Sequence, residues 1–242
     1  MAKIKGRPFA VFDIDGTLIR WQLYHAVADS LVSLGFISHE KFQSIKDARM
    51  VWKRRETPDS FRNYELELVE LYVDILANIT TDQFDKAAQA VFDEYKDQAY
   101  AYTRNLIKDL KKQNYLIFAI SGSQTEIVSK MASHYGFDGF VGREDERVGN
   151  KFSGKSTTPI FAKDKSLKQL VKSHRASYSG SIGAGDSHSD IKMLELVEEP
   201  IAFNPERSLF EHAKRSKWKI VIERKNMIYE LDAGDGNTYI LA

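Results

Sequence analysis

The stretch Phe9-Ala10-Val11-Phe12-Asp13-Ile14-Asp15-Gly16-Thr17-Leu18 constrains the fold of this 242-residue chain more than any other. An apolar run suited to a buried strand ends in two carboxylates two positions apart, and Gly-Thr follows at once. In a strand, residues i and i+2 face the same way. Asp13 and Asp15 therefore converge on one point where the strand gives way to a loop. Two acids held together repel each other unless a cation or a shared proton intervenes. A hard divalent ion with oxygen ligands, most simply Mg2+, suits such a pair.

From Trp21 to roughly Gln98 the pattern turns helical. Leu66, Val69, Leu71, Val73 and Leu76 are apolar residues at helical spacing. Ser38, Asp59 and Thr81 are N-cap types that predict helix starts. About four helices, a small bundle, are expected here.

Beyond Ala99, helix and strand alternate. Thr103–Gln113 reads as an amphipathic helix and Tyr115–Ile120 as a buried strand ending at Ser121-Gly122-Ser123. A helix over Thr125–Tyr135 and a short strand over Phe137–Val141 follow. Gly142–Ser156 reads as a hairpin whose charges, Arg143 to Arg147, form a solvated face. After a helix over Lys163–His174, the strand Tyr178–Gly183 runs into Gly185-Asp186-Ser187-His188-Ser189-Asp190. Strands at Pro200–Phe203 and Trp218–Ile222, each preceded by a helix, complete the pattern. The tail from Asn226 reads as a loose hairpin around Gly234-Asp235-Gly236-Asn237.

Such alternation predicts an α/β fold, a doubly wound and mainly parallel sheet covered on both faces. The helical block interrupts it just after the first strand. The core is expected over residues 1–19 and 99–242 and a cap over 20–98. Ligands of open parallel sheets sit at the carboxyl ends of the strands, where the inserted block begins.

Composition narrows the chemistry. A formal net charge of +1 gives no global field for nucleic acid or an acidic membrane surface. The absence of cysteine excludes disulfides, thiolate zinc sites and cysteine nucleophiles. Residues 8–11 are too short for a signal-peptide core, and no apolar stretch would span a bilayer. The expectation is a cytoplasmic protein with no nucleic-acid or membrane partner, acting as a monomer or homodimer.

Three strands end in polar clusters: Asp13 with Asp15, Ser121 with Gly122, and Asp186 with Asp190. The helix from Lys163 supplies a cation; Lys165 is the next candidate, and His188 reads as a solvated loop residue. Gathered at one edge, this set suits phosphoryl transfer, where positioning and charge stabilisation are the main tasks.

Asp-x-Asp-Gly-Thr, a Ser after a strand, a Lys opening a helix and Gly-Asp-x-x-x-Asp, as they stand here, resemble the four motifs of the haloacid dehalogenase (HAD) superfamily phosphatases. The helical insert resembles the C1 caps of the phosphoserine phosphatase-like branch, subfamily IB. The resemblance reaches to about Ile222. It implies a Rossmann-like core and a Mg2+-dependent phosphatase acting on a small-molecule phosphomonoester. It implies Asp13 as a nucleophile that becomes an aspartyl-phosphate, and Asp15 as general acid and then base. Ser121 and Gly122 would hold phosphate oxygens and Lys163 would tether the phosphate. Asp13, the Asp15 carbonyl and Asp186 would bind Mg2+, supported by Asp190. A phosphotransferase or mutase with the same intermediate, and a weakly catalytic phosphate-binding regulatory module, are the alternatives.

Substrate choice is expected from the residues after the first motif, Gln22, Tyr24 and His25. Phosphoserine phosphatases carry a Glu where this chain has Gln22, and an amide cannot neutralise an ammonium. Arg49, Arg54, Arg55 and Arg62 are candidates by composition for a substrate carboxylate, but none matches by pattern.

Overall fold

Pro8–Phe12 forms the expected first strand, β1, and lies at the centre of a sheet rather than at its edge. The computed structural model describes residues 6–57, 60–234 and 238–241. The helix start expected at Asp59, the side chain of Arg62 and most of the turn expected at Gly234–Asn237 fall outside the described residues. By contacts the chain divides into two compact units. The first takes the chain up to Gln22, Glu94–Arg143 and the residues from Thr158 onward; the second takes Leu23–Asp93 and Glu144–Thr157.

The second unit holds four helices, as expected: α1 (Leu23–Ser33), α2 (Gln43–Lys53), α3 (Ser60–Asn78) and α4 (Thr81–Tyr95). The start expected at Thr81 holds, whereas the one expected at Ser38 moves. Ser38 closes a turn instead, its Oγ accepting the Lys41 amide, and α2 begins later, after Phe42. At α4 the cap is Thr80, whose Oγ1 accepts the Gln83 amide while Gln83 Oε1 accepts the Thr80 amide, a reciprocal capping box.

The buried face of α3 also differs from the expectation. Leu66, Val69 and Val73 are exposed, whereas Tyr64, Leu68, Tyr72 and Ile75 are buried. The helix carries two apolar stripes, and the one bearing two tyrosines has the larger area to remove from water.

The first unit adds α5 (Ala101–Lys112), β2 (Leu116–Gln124), α6 (Thr125–Tyr135) and, as far as Arg143, the first part of β3 (Gly139–Val148). The chain continues through β4 (Lys151–Thr157), which belongs to the second unit, then α7 (Lys163–His174), β5 (Ser177–Gly185), α8 (Ile191–Leu194), β6 (Glu199–Phe203), α9 (Arg207–Ser216), β7 (Lys219–Arg224), β8 (Met227–Ala233) and β9 (Tyr239–Leu241). The order β3-β2-β1-β5-β6-β7 is parallel, and β8 and β9 extend it antiparallel. The chain winds from β1 toward β3 on one side and from β5 toward β7 on the other. The switch point therefore lies at the carboxyl end of β1, where open sheets of this kind bind ligands.

Phe9 and Val11 join Phe118, Leu167, Leu170, Leu194, Leu209 and Trp218 in one core cluster with α7, α8 and α9. Ile107, Leu110, Ile127 and Met131 of α5 and α6 are buried outside that cluster. The start of α5 is held from afar: Glu223 on β7 accepts the Ala101 and Tyr102 amides at 3.0 and 2.8 Å.

The hairpin expected with the core strands divides differently. Its residues Glu144–Thr157 group with the helices. Within that unit Arg147 forks onto Asp85 at 2.9 and 2.6 Å, Phe152 meets Phe84 edge-on, and Asn150 Oδ1 accepts the Thr81 hydroxyl. Arg147 is thus an anchoring side chain and not part of a purely solvated face. Among the described residues no helix is long and apolar enough to cross a membrane.

The centre of the helical unit is aromatic. His25, 2% exposed, lies 4.7 Å from the Tyr64 ring, and Trp52 stacks on Tyr64 at 5.6 Å. Arg49 is held by Asp29 through two bonds of 2.8 and 3.0 Å and by the Tyr64 hydroxyl. Burial, and then the Arg49 charge, pushes the His25 imidazole down to about 3 from an ordinary 6.5. The unfolded chain binds this proton more readily, so the contribution of neutral His25 is present above pH 6.5 and is lost as pH falls toward 3. At pH 5 the loss amounts to about 2 kcal/mol. Urea unfolding at pH 7 and pH 5 should show the wild type losing about 2 kcal/mol more stability than His25→Phe as the pH falls. Equal pH dependence in both would overturn the assignment.

Candidate active site

Register brings the polar clusters together. Phe12 pairs with Ala119 on β2 and with Ala184 on β5. One residue further on β1 is Asp13; two further on its neighbours are Ser121 and Asp186. The Asp13 amide still donates to the Ala184 carbonyl at 3.0 Å, so the backbone carrying the first acid remains fixed to the sheet.

Lys163, the first residue of α7, is 3% exposed. Its Nζ donates to Asp13 Oδ1 and to Asp190 Oδ1, both at 2.6 Å. Lys165, the rival by sequence, is exposed. Asp190 is fully buried, and its other oxygen accepts the amides of Asp186 and Ser187 at 3.1 and 3.0 Å. The Ser187 hydroxyl donates to the same oxygen at 3.2 Å, and Ser187 and Asp190 form a capping box. Asp190 thus shapes the loop that carries Asp186, a task readable in the spacing Ser-x-x-Asp. His188 is exposed, and its amide donates to Glu206 Oε1 at 2.6 Å.

Ser121 is buried and donates its hydroxyl to Asp15 Oδ2 at 2.7 Å, while accepting the Ser123 amide at 2.9 Å. Asp15 thus receives the Ser121 hydroxyl, and Asp13 the Lys163 ammonium. Gly122 follows directly, where a side-chain carbon would lie 3.2 Å from Ile160.

One ligand oxygen each from Asp13, Asp186 and Asp190 lies within 4.8 Å of the others. The donors are all carboxylate, the hard-oxygen set that Mg2+ takes. Gly16 makes room for this cluster. Its φ is +77°, and a Cβ there would sit 2.2 Å from Asp186 Oδ2. Burial pushes the Asp13 carboxyl up to about 8; Lys163 pulls it back, while Asp190 and Asp15 add to the rise. Burial, then Asp13 and Asp190, hold Asp186 well above the usual range. Burial works against the Lys163 charge, but Asp13 and Asp190 outweigh it and raise Lys163 above its ordinary value. The cluster has more negative charge than one ammonium can offset, and a divalent cation fits that deficit.

The specificity candidates separate. The Gln22 amide nitrogen lies 3.3 Å from the position a Gly16 Cβ would take, beside Asp186. His25 lies in the aromatic centre of the helical unit, and Tyr24 packs on Tyr72 at 4.1 Å. Arg49 is engaged with Asp29.

The family model described as haloacid dehalogenase-like hydrolase matches residues 10–195. A histidinol-phosphatase of Neisseria meningitidis is 24% identical over 225 residues, covering 88% of this chain and 97% of that protein. A phosphoserine phosphatase of Mycobacterium tuberculosis is 24% identical over 136 residues, covering 54% of this chain. The chain spans about half the length of the mycobacterial relatives it matches, 48% and 44% for two of them. A solved phosphoserine phosphatase with a phospho-aspartyl intermediate analogue shares the fold, with a TM-score of 0.61 at 21% identity over 91% of this chain and 95% of that one.

If Gly16 keeps the space for Asp186, Gly16→Ala should lose most of the rise in Tm that Mg2+ gives the wild type, as read by calorimetry. An undiminished rise would remove Asp186 from the cation site.

Proposed function

Because the chain belongs to the haloacid dehalogenase-like hydrolases, we propose that it is a Mg2+-dependent phosphatase that hydrolyses a small-molecule phosphomonoester through an aspartyl-phosphate on Asp13. The observation that carries this reading is the buried ammonium of Lys163 bridging Asp13 and Asp190, with Asp186 in the same carboxylate cluster and Ser121 turned to Asp15. Relatives named phosphoserine phosphatase and histidinol-phosphatase support the substrate class.

Asp13 and Asp186, with the Asp15 carbonyl, are the residues that would hold the metal, supported by Asp190. When bound, Mg2+ supplies positive charge that keeps these carboxylates ionised and offsets the charge of the phosphate. Lys163 holds Asp13 in one orientation and meets the phosphate, while Ser121 and the Gly122 amide take phosphate oxygens. A carboxylate oxygen of Asp13 attacks phosphorus. The bond from phosphorus to the alcohol oxygen breaks, its electron pair stays with that oxygen, and Asp15 donates the proton. Asp15, now a carboxylate, takes a proton from water as the water oxygen attacks phosphorus. The bond to Asp13 breaks, and phosphate leaves with both acids restored.

Asp13→Asn should lower Mg2+-dependent phosphate release from p-nitrophenyl phosphate by at least about a thousandfold. Undiminished release would overturn the mechanism. Asp15→Asn should leave a burst of nitrophenol close to one equivalent of enzyme, followed by slow turnover, because p-nitrophenolate needs no proton to depart but water still needs a base. A slow first turnover would assign Asp15 a different task.

A further inference from the structure

Asp186 differs from the other acids of the site in what holds its carboxylate. Asp13 and Asp190 accept the Lys163 ammonium, and Asp15 accepts the Ser121 hydroxyl. The Asp186 carboxylate accepts no hydrogen bond among the described residues, and it faces the like charges of Asp13 and Asp190. Its aim is therefore set by the backbone that carries it.

That backbone is tied on both sides. The Asp186 amide donates to Asp190 Oδ2 at 3.1 Å, and the Asp186 carbonyl accepts the amide of Glu206 at 2.8 Å. Two residues on, the His188 amide donates to Glu206 Oε1 at 2.6 Å, and the Ser208 hydroxyl donates to the same oxygen at 2.6 Å. Glu206 thus meets the loop twice, once through its main chain and once through its carboxylate. It has an anchor of its own in the turn Asn204-Pro205-Glu206 that leaves β6. The Asn204 amide donates to the Val221 carbonyl at 2.8 Å, and Asn204 Oδ1 accepts the Glu223 amide at 2.8 Å, both on β7. Glu206 carries the position of the β6 and β7 ends to the loop after β5. It is exposed, so the geometry of this loop and not the filling of a core is what its side chain serves.

We propose that Glu206 is a positioning residue for the cation site, fixing the backbone from which the Asp186 carboxylate reaches the metal. The inference rests on the reading of the carboxylate cluster as a Mg2+ site. Partners that hold a metal ligand in place typically account for about 10–100-fold in metal affinity. Glu206 acts through the loop backbone, and any substitution keeps its own amide bond to the Asp186 carbonyl, so the lower end of that range applies to its side chain.

The test is a calorimetric titration of the metal-free protein with MgCl2 in the absence of substrate. The Kd for Mg2+ should be about tenfold weaker in Glu206→Ala than in the wild type. Glu206→Gln keeps an acceptor oxygen at the same reach and should stay within about threefold. Phosphate release from p-nitrophenyl phosphate by Glu206→Ala should be depressed at the Mg2+ concentration that half-saturates the wild type and should recover as Mg2+ is raised. A Kd in Glu206→Ala within about twofold of the wild type would overturn the proposal, whether or not the Tm of the metal-free protein falls. So would equal weakening in Glu206→Gln and Glu206→Ala, since the charge of Glu206 and not its hydrogen bonds would then be drawing the cation. A wild type that takes up Mg2+ alongside an equally tight Glu206→Ala sinks this inference alone. A wild type that takes up no Mg2+ sinks the metal reading of the cluster with it.

Discussion

The ammonium of Lys163, held between Asp13 and Asp190, is the contact on which the arrangement depends. Its side chain is 2% exposed and those of its partners 6% and 0%. Charges this deep are tolerated only when they are paired and hydrogen-bonded, and removing one partner leaves the others unpaired in a poor solvent. The three residues come from the end of the first strand, the start of a helix 150 positions later and the loop after β5. One ion triad thus fixes the relative placement of three distant segments. Asp190 passes that constraint to Asp186 through two backbone amides.

The contrast between the two acids of the first motif follows from their partners. Asp13 is bound by a cation and lies in a carboxylate cluster; Asp15 is bound by the Ser121 hydroxyl. Spacing alone makes the two alike. Their division of labour comes from what the neighbouring elements offer each one, the general way in which one residue type is assigned two roles in a site.

Much of this was readable in advance where the signal is local. Asp13, Asp15, Ser121, Lys163 and Asp186 each follow a strand or open a helix, and the parallel sheet follows from the alternation of elements. The readings that moved depended on distant partners. Leu66, Val69 and Val73 satisfy helical spacing, yet a second stripe on the same helix won the interior. The charges of the hairpin read as solvated because Asp85, which receives Arg147, lies 62 positions away. His25 follows the first motif closely in sequence but belongs to an aromatic cluster assembled from three helices.

The position of β1 has a consequence for the order of assembly. This strand is the earliest among the described residues, yet its neighbours are Leu116–Ala119 on one side and Ile182–Ala184 on the other. Until those segments emerge from synthesis, a fully apolar strand waits with both hydrogen-bonding edges open. The five intervening helices can form meanwhile from contacts close in sequence. The chain thus places its fastest-forming part inside its slowest loop, and the acids at the tip of β1 gain their neighbours only once the segment through Asp190 has been made.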